Sequence, residues 1–465
     1  LVGSEMCIRD RPKGGRNGRR QTSTMKKHLH KLILFSATAC LSACTAQEPL
    51  TDYVDPRIGT AHSRWFFFTP AAVPFGMAKL APTTDGHLGN PNGWEAVGYD
   101  SRHTSIEGFA NFHEFQVGGV VVAPTVGELQ TVPGPLDNPD AGYRSRFDKK
   151  DEVARPGYYS VLLKDYGVKA ELTATERVGF HRYTFPATEE ANLIFNIGTR
   201  MGESGPVRDA SVTYTDDGRI EGWVVTEPAY VDIYQKGATV TMYFSAVLDA
   251  EPAAWGAFSG EQTFAGERSR TGVGAGLYLR FDTRERQQVG LKIGLSYTSV
   301  ENARLNLEKE AARKDFDRVR REANDTWEEA LGRLRVEGGL HDDRVKFYTG
   351  LFHALLGRGL ASDVNGAYPA NDGTVGQIAL DGAGKPEHHY YNTDAIWGAY
   401  WNLTQLWSIA YPEYYADWVA SQLLVYKDAG WLGDGIACSK YVSGVGTNFT
   451  GLAIAAAYNL SLIHI

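Results

Sequence analysis

Cysteine is nearly absent from this 465-residue sequence, which carries four, at Cys7, Cys40, Cys44 and Cys438. The first three fall in the leader and export signal described below, so Cys438 stands alone and no internal disulfide framework is open to the chain. Stability has to come from core burial, and a chain of this length has residues enough for two domains. A long apolar run is also missing. Spanning a bilayer takes roughly 20 consecutive apolar residues, and the best stretch, around Leu32-Ile33-Leu34-Phe35, is short and interrupted. Positive charge is the third shortage. Lys and Arg number 47 against 55 Asp and Glu, a formal charge of −8; setting aside the leader and signal leaves 38 against 53, near −15. Nucleic-acid binding requires clustered Lys and Arg to neutralise phosphates, so nucleic acid is excluded as a partner. Neutral or cationic substrates fit this balance.

The ends of the chain read differently from its body. Met25-Lys26-Lys27-His28 opens a charged segment, followed by the short apolar run and the small residues Ser36-Ala37-Thr38-Ala39. That is the layout of an export signal. It closes on Leu41-Ser42-Ala43-Cys44, which resembles the lipobox of bacterial lipoproteins, where the cysteine is acylated and becomes the new N-terminus. The resemblance implies lipidation at Cys44 and an extracytoplasmic body anchored to the cell or outer membrane, in the periplasm or at the cell surface. The alternative is an ordinary signal peptide cleaved near Ala43. Residues 1–24 and 461–465 read as non-native adaptor sequence and are left out of the fold reasoning; on that reading the native chain breaks off near Leu460.

The body has two periodicities. Residues 50–298 show short β-branched and aromatic runs broken by Gly, Pro and Asp, such as Tyr158-Tyr159-Ser160-Val161-Leu162-Leu163 and Val178-Gly179-Phe180-His181-Arg182-Tyr183. Asp217-Gly218 between two such runs marks a tight hairpin. Many short strands at regular spacing predict an antiparallel β-sandwich. From Ser299 the period becomes 3.6, with Trp327, Leu331 and Leu334 at i, i+4 and i+7. Residues 299–340 read as linking helices. Residues 341–460 read as helical hairpins, with helices expected over Asp343–Leu356, Asp394–Ile409, Pro412–Tyr426 and Asn448–Tyr458. Aromatic residues make up 12% of the chain; Tyr and Trp at this density suit stacking on sugar faces, although most belong in cores.

Several motifs in this body resemble those of glycoside hydrolase family 92, the calcium-dependent exo-α-mannosidases. They are Tyr53-Val54-Asp55-Pro56-Arg57-Ile58-Gly59-Thr60, Pro70-Ala71-Ala72-Val73-Pro74-Phe75-Gly76-Met77, Gly98-Tyr99 with Ile106-Glu107-Gly108-Phe109 and His113, Lys292-Ile293-Gly294-Leu295-Ser296-Tyr297, and Phe347-Tyr348-Thr349-Gly350-Leu351-Phe352-His353. The resemblance runs through nearly the whole native chain. It implies a multidomain β plus α fold, an N-terminal antiparallel β-sandwich followed by an incomplete (α/α) six-hairpin barrel, with the active site between them. It also implies inversion, in which one carboxylic acid protonates the leaving oxygen while a carboxylate roughly 6.5 to 9.5 Å away activates water. A Ca2+ ion, a hard cation suited to sugar hydroxyls, is implied as cofactor, with its ligands expected beyond residue 460.

The sequence departs from the family where the chemistry is expected. The family's general-acid glutamate belongs just after Gly430-Trp431-Leu432, where this chain reads Gly433-Asp434-Gly435-Ile436-Ala437-Cys438-Ser439-Lys440-Tyr441 without a glutamate. Tyr441 takes its place, and a phenol with a reference pKa near 10 is a poor acid at neutral pH. Asp434 is the remaining candidate, either as acid or sugar ligand or as a turn residue bonding nearby amides. The family's Trp-Asp sugar clamp reads Trp397-Gly398 here. Asp394 is either a substitute sugar ligand or a helix N-cap. Trp94, with Glu95, is placed to stack on a sugar or to pack in the core. Gly59 and Thr60 either approach the sugar through their backbone or form a plain turn. His113 falls on the family's Ser-His-x-His segment and reads as a sugar contact or as a buried, bonded histidine. His388-His389 reads as a loop pair, since adjacent residues rarely share one ion.

The expected function is that of an exported inverting exo-α-glycosidase, α-mannosidase-like and acting on an oligosaccharide or glycan substrate, with the chain as it stands inactive for want of its base. The rivals are a glycan-binding lipoprotein that has lost catalysis, and a sugar-phosphate hydrolase whose leaving group needs no protonation.

Overall fold

The computed structural model describes residues 48–61, 68–84, 98–357, 359–392, 396–443 and 448–463. The alternating runs of the first half pair into two antiparallel sheets. One takes the strands Ala81–Thr83, Gly108–Glu114, Val117–Val126, Ala191–Asn196, Ala275–Phe281, Ala254–Ser259 and Gln262–Ala265, in that order. The other takes Ser269–Thr271, Val207–Tyr214, Arg219–Thr226, Val240–Leu248, Gln288–Ser296, Val178–Thr184, Val168–Ala174, Tyr158–Leu163 and Val153–Arg155. Their inner faces form one apolar core. Phe109 of the first sheet meets Tyr159 and Tyr183 of the second at ring-centroid distances of 6.5 and 6.1 Å, the interdigitation expected of a sandwich. Asp217-Gly218 does turn the chain between Val207–Tyr214 and Arg219–Thr226, with Gly218 at φ 80°.

Helices follow where the period changes. After α1 (Ala229–Tyr234), a single excursion from the sandwich, come α2 (Val300–Ala311), α3 (Phe316–Gly332), α4 (His341–Leu356), α5 (Ile396–Ala399), α6 (Leu403–Ala410), α7 (Pro412–Ala429) and α8 (Phe449–Asn459). Their ends carry the expected chemistry. Ser299 caps α2 through Asn302 N–H at 3.0 Å, and Asp315 caps α3 through Arg318 N–H at 2.7 Å. Pro412 opens α7, and Gly430 closes it in the left-handed region at φ 80°. Among the described residues α3 packs on α4, α6 on α7, and α8 on both α5 and α7, and no helix is long and apolar enough to cross a membrane.

Two sequence expectations need correction. The continuous helix expected over Asp394–Ile409 is broken: α5 and α6 are separated by a turn at Tyr400-Trp401-Asn402. The break lets the rings of Tyr400 and Trp401 both face Phe449 of α8, at 5.1 and 5.4 Å, which consecutive residues about 100° apart on an unbroken helix do not achieve. Leu334 lies beyond the end of α3, which stops at Gly332.

Buried polar contacts lock the helices onto the sandwich. Asp363, wholly buried, accepts from Ser296 Oγ at 3.0 Å, Thr298 Oγ1 at 2.5 Å and Asn306 Nδ2 at 2.7 Å. Burial pushes its carboxyl above the usual range and the three donors pull it back. Beside it, Arg177 donates to Ser362 O at 2.7 Å and pairs with Glu310 at 2.8 Å. Gly294 has no Cβ because α2 lies directly on its strand, against Ala303 O and Leu307.

Replacing Asp363 with Ala strands three donors at once and is expected to cost about 3 kcal/mol or more; an unchanged urea midpoint would remove this carboxylate from the role given to it. Acid sensitivity follows from two buried imidazoles. His181, bonded to Tyr183 and Asn111, is pushed by burial down to about 3, and His353 down to about 4. Both are neutral in the folded protein, whereas the unfolded chain takes up their protons below 6.5. Their contribution is therefore complete above pH 6.5 and lost as pH falls, by about 1.4 kcal/mol per unit for each histidine. Urea unfolding at pH 7 and pH 5 should show this loss, and His181→Gln should flatten the slope.

Candidate functional site

The stretch after α7 folds into a two-stranded hairpin, Gly435–Ala437 against Lys440–Val442, with Ile436 opposite Tyr441. Its two turn residues, Cys438 and Ser439, have φ values of 54° and 63°. A two-residue turn of this kind favours Asn-Gly, and a left-handed non-glycine residue costs roughly 1–2 kcal/mol. Tertiary contacts hold the turn in place. Ser439 N–H donates to Asn392 O at 2.8 Å, Asn371 Nδ2 to Ser439 O at 3.0 Å, and Lys440 Nζ to Asn371 O at 2.6 Å. The buried Cys438 thiol reaches Phe115 O in the sandwich at 3.5 Å.

The sandwich grips the rest of the hairpin. Gln235, following α1, accepts from Tyr441 N–H at 2.9 Å; Tyr230 of α1 donates its phenol to Ser443 O at 3.0 Å; Gln116, left-handed at φ 68°, accepts from Tyr230 N–H at 2.9 Å. Asp434, half-buried, accepts from Ser443 Oγ at 3.0 Å across the base of the hairpin. Gly433 lies against the Tyr441 ring, where a side chain would collide. That ring makes an edge contact with Trp431 at 4.6 Å and lies 6.3 Å from Tyr234. One carboxylate, a phenol and the half-exposed face of Trp431 thus share the seam between sandwich and helices, a surface suited to a sugar ring and its hydroxyls.

The other sequence candidates are placed variously. Thr60 is buried and donates its hydroxyl to Arg57 O at 2.7 Å, inside a turn whose exposed Gly59 is left-handed at φ 86°. His113 is buried against Phe68, ring centroids 5.0 Å apart, with Nδ1 3.2 Å from Lys79 O. Trp397 is half-buried on the short α5. His389 pairs with Asp417 at 2.9 Å, and His388 Nδ1 contacts the neighbouring His389 O at 2.8 Å. Cys44, Trp94, Glu95 and Asp394 lie outside the described residues.

Sequence reasoning passed over Glu114, next to His113 in a strand whose every residue is buried. Its carboxylate accepts from Gly359 N–H and from the Tyr297 phenol and faces the buried ammonium of Lys79, whose pKa burial lowers and Glu114 supports. The signal for it was a charged residue ending a wholly apolar-facing strand, which demands a partner. A Ca2+ cage needs six to eight oxygen ligands. Among the described residues no group of three or more His, Cys, Asp or Glu side chains is arranged to hold an ion, so these residues do not by themselves fit the metal and no step is drawn through it.

Two family models match the chain: the glycosyl hydrolase family 92 N-terminal domain over residues 53–296 and the family 92 catalytic domain over 302–462. A protein described as an uncharacterized secreted glycosidase, from Arthroderma benhamiae, is 26% identical over 334 residues, 65% of this chain and 41% of that protein. Among solved structures, a family GH92 α-mannosidase of Bacteroides thetaiotaomicron superposes with a TM-score of 0.77 at 24% identity, covering 88% of this chain and 56% of that one. A family GH92 inverting mannosidase of Bacteroides thetaiotaomicron VPI-5482 superposes with 0.75 at 20% identity, covering 90% and 54%. The chain spans about half or less of the length of these relatives.

Glu114→Ala leaves Gly359 N–H and the Tyr297 hydroxyl proton without their acceptor and Lys79 without its opposite charge, so a loss of about 3 kcal/mol is expected in chemical denaturation. Glu114→Gln, which keeps an acceptor, should lose less; equal losses would mean that packing and not charge is what matters there.

Proposed function

The chain belongs to glycosyl hydrolase family 92, and we propose that the protein is an exported exo-α-glycosidase of the α-mannosidase type, hydrolysing glycans with inversion. The observation that carries this reading is the clamped hairpin, which presents Asp434 beside Trp431 and Tyr441 on the seam between the two parts of the fold. Asp434 is the acid: it is the carboxylate in the stretch where the family keeps its proton donor, and its Ser443 partner orients it. Trp431 offers the apolar face of a sugar its stacking surface, with Trp397 as a further contact and Trp94, Glu95 and Asp394, which lie outside the described residues, as further candidates. Inversion requires a second carboxylate roughly 6.5 to 9.5 Å from the acid. A Ca2+ of the family would grip vicinal hydroxyls only through oxygen ligands that the described residues do not gather. An export signal ending at Cys44 and a secreted relative support an extracytoplasmic body held by an acyl anchor.

One observation favours a second reading, a glycan-binding protein without catalysis. The position of the family's acid is taken by Tyr441, whose ring packs between Trp431 and Tyr234, and a phenol is a far weaker acid than a carboxylic acid.

The two readings separate in an assay of the protein at the full length of its relatives on aryl α-mannosides and mannobioses, with and without chelator. Asp434→Asn should lower kcat/KM by roughly 100-fold or more on mannobiose, whose leaving group needs protonation, while an activated aryl mannoside loses little. Equal losses on both substrates would reject Asp434 as the acid, and binding without turnover would favour the second reading. Turnover indifferent to chelation would remove Ca2+ from the mechanism.

A further inference from the structure

A second cavity lies away from the hairpin, where Pro74-Phe75-Gly76 of the sandwich meets α3 and the start of α7; its volume is about 400 Å³. The helix α7 runs 18 residues, about 27 Å at 1.5 Å per residue. Tyr414 and Asp417 sit in its first turns and line the cavity, while the hairpin with Asp434 follows its last turn. Most of the length of that helix therefore separates the two places.

Aromatic rings form the cavity wall. Phe75 and Tyr414 stack at 3.8 Å with 8° between planes, Tyr391 stands edge-on to Tyr414 at 4.6 Å, and Tyr411 closes one side. Phe75 is left-handed at φ 57° and is held so by its own N–H on Leu355 O at 2.8 Å and its O on Leu360 N–H at 2.9 Å. The apolar surface is thus presented at a fixed angle rather than collapsed into the core.

Three carboxylates ring this surface, each engaged through one oxygen. Glu176 Oε2 takes Arg177 at 2.8 Å, Asp417 Oδ2 takes His389 at 2.9 Å, and Glu413 Oε1 takes Arg333. Among the described residues their other oxygens accept no hydrogen bond. With exposed Glu329 at the rim, the cavity presents carboxylate oxygens that accept from hydroxyl donors. The Tyr391 phenol points among the three carboxylates. It is 93% buried, finds no hydrogen-bond partner among the described residues, and is driven well above its usual pKa by burial and by Asp417, Glu176 and Glu413. The ring is buried while its hydroxyl opens into the cavity, where a ligand hydroxyl can pair with it.

We propose that this cavity is a second glycan-binding site, taking one neutral pyranose ring with its apolar face on the open side of half-buried Phe75 and its hydroxyls on Tyr391 and the outward carboxylate oxygens. It deepens the glycan reading above and rests on it for the choice of sugar, but not on hydrolysis. At about 400 Å³ the cavity has room for such a ring together with several of its hydration waters.

Titration of the full chain with methyl α-D-mannopyranoside, followed by ligand-observed NMR, tests the proposal. Tyr391→Phe removes only the phenol and should weaken binding at this site about fivefold, the worth of one hydrogen bond. Ala330→Phe fills the cavity from α3 and should abolish binding there. Asp434→Asn should leave this site untouched. Wild-type protein that shows no binding up to about 50 mM, a range that covers weak single-sugar sites, overturns the proposal, as does binding indifferent to both cavity variants. Neither result bears on hydrolysis, which the aryl mannoside assay reads separately, so the two claims fail independently.

Discussion

Two parts of different periodicity have to share one interface, and the buried carboxylate of Asp363 joins them. A carboxylate taken out of water is expensive unless every lone pair it presents is met. Here Ser296 and Thr298, at the end of the last sandwich strand, and Asn306 of α2 meet it together. Those three residues stand where strand periodicity gives way to helix. The carboxylate therefore ties the end of the last sandwich strand to α2 and to the segment after α4. Arg177 reinforces the same junction by bonding Ser362, the neighbour of Asp363, while pairing with Glu310 of α2.

With that junction set, the seam can hold features that local propensity disfavours. The left-handed Cys438-Ser439 turn has neither Asn nor Gly to ease it; Asn392, Asn371 and the sandwich carbonyl of Phe115 hold it instead. Phe75 and Gln116 are left-handed as well, and each is bonded to a different part of the chain. Strained non-glycine residues persist only where their surroundings over-determine them. Cys438, Ser439 and Gln116 are buried at the hairpin and Phe75 lines the cavity, so the polar contacts of the interface shape these places as well as hold the two parts together.

Much of the fold was legible in advance. Alternation over residues 50–298 and 3.6 periodicity after Ser299 yield the sandwich and the helices, and Pro412 opens α7 at the start expected for it. The break between α5 and α6 was not visible, because it answers to Phe449 some fifty residues on. The candidate site was legible only in outline. Asp434 stood out as a carboxylate in a glycine turn, whereas Glu114, Tyr230 and Gln235 bear no local mark of their roles. His113 and Thr60 were singled out by motif, and their side chains turn inward to bonds within the sandwich.

The sequence alone determined the order of the two structural halves, the absence of disulfide support, the acidic character of the body and the kinship of the chain, since all of these are read from composition or from neighbours within a few residues. Tertiary structure alone decided which polar groups meet: Glu114 with Gly359 across 245 positions, Cys438 with Phe115 across 323, and Phe75 stacked upon Tyr414. The reason is physical. Periodicity records which face of an element is buried, but a buried polar group is satisfied by whatever the fold brings within about 3 Å, and that neighbour is fixed only once the whole chain has been packed.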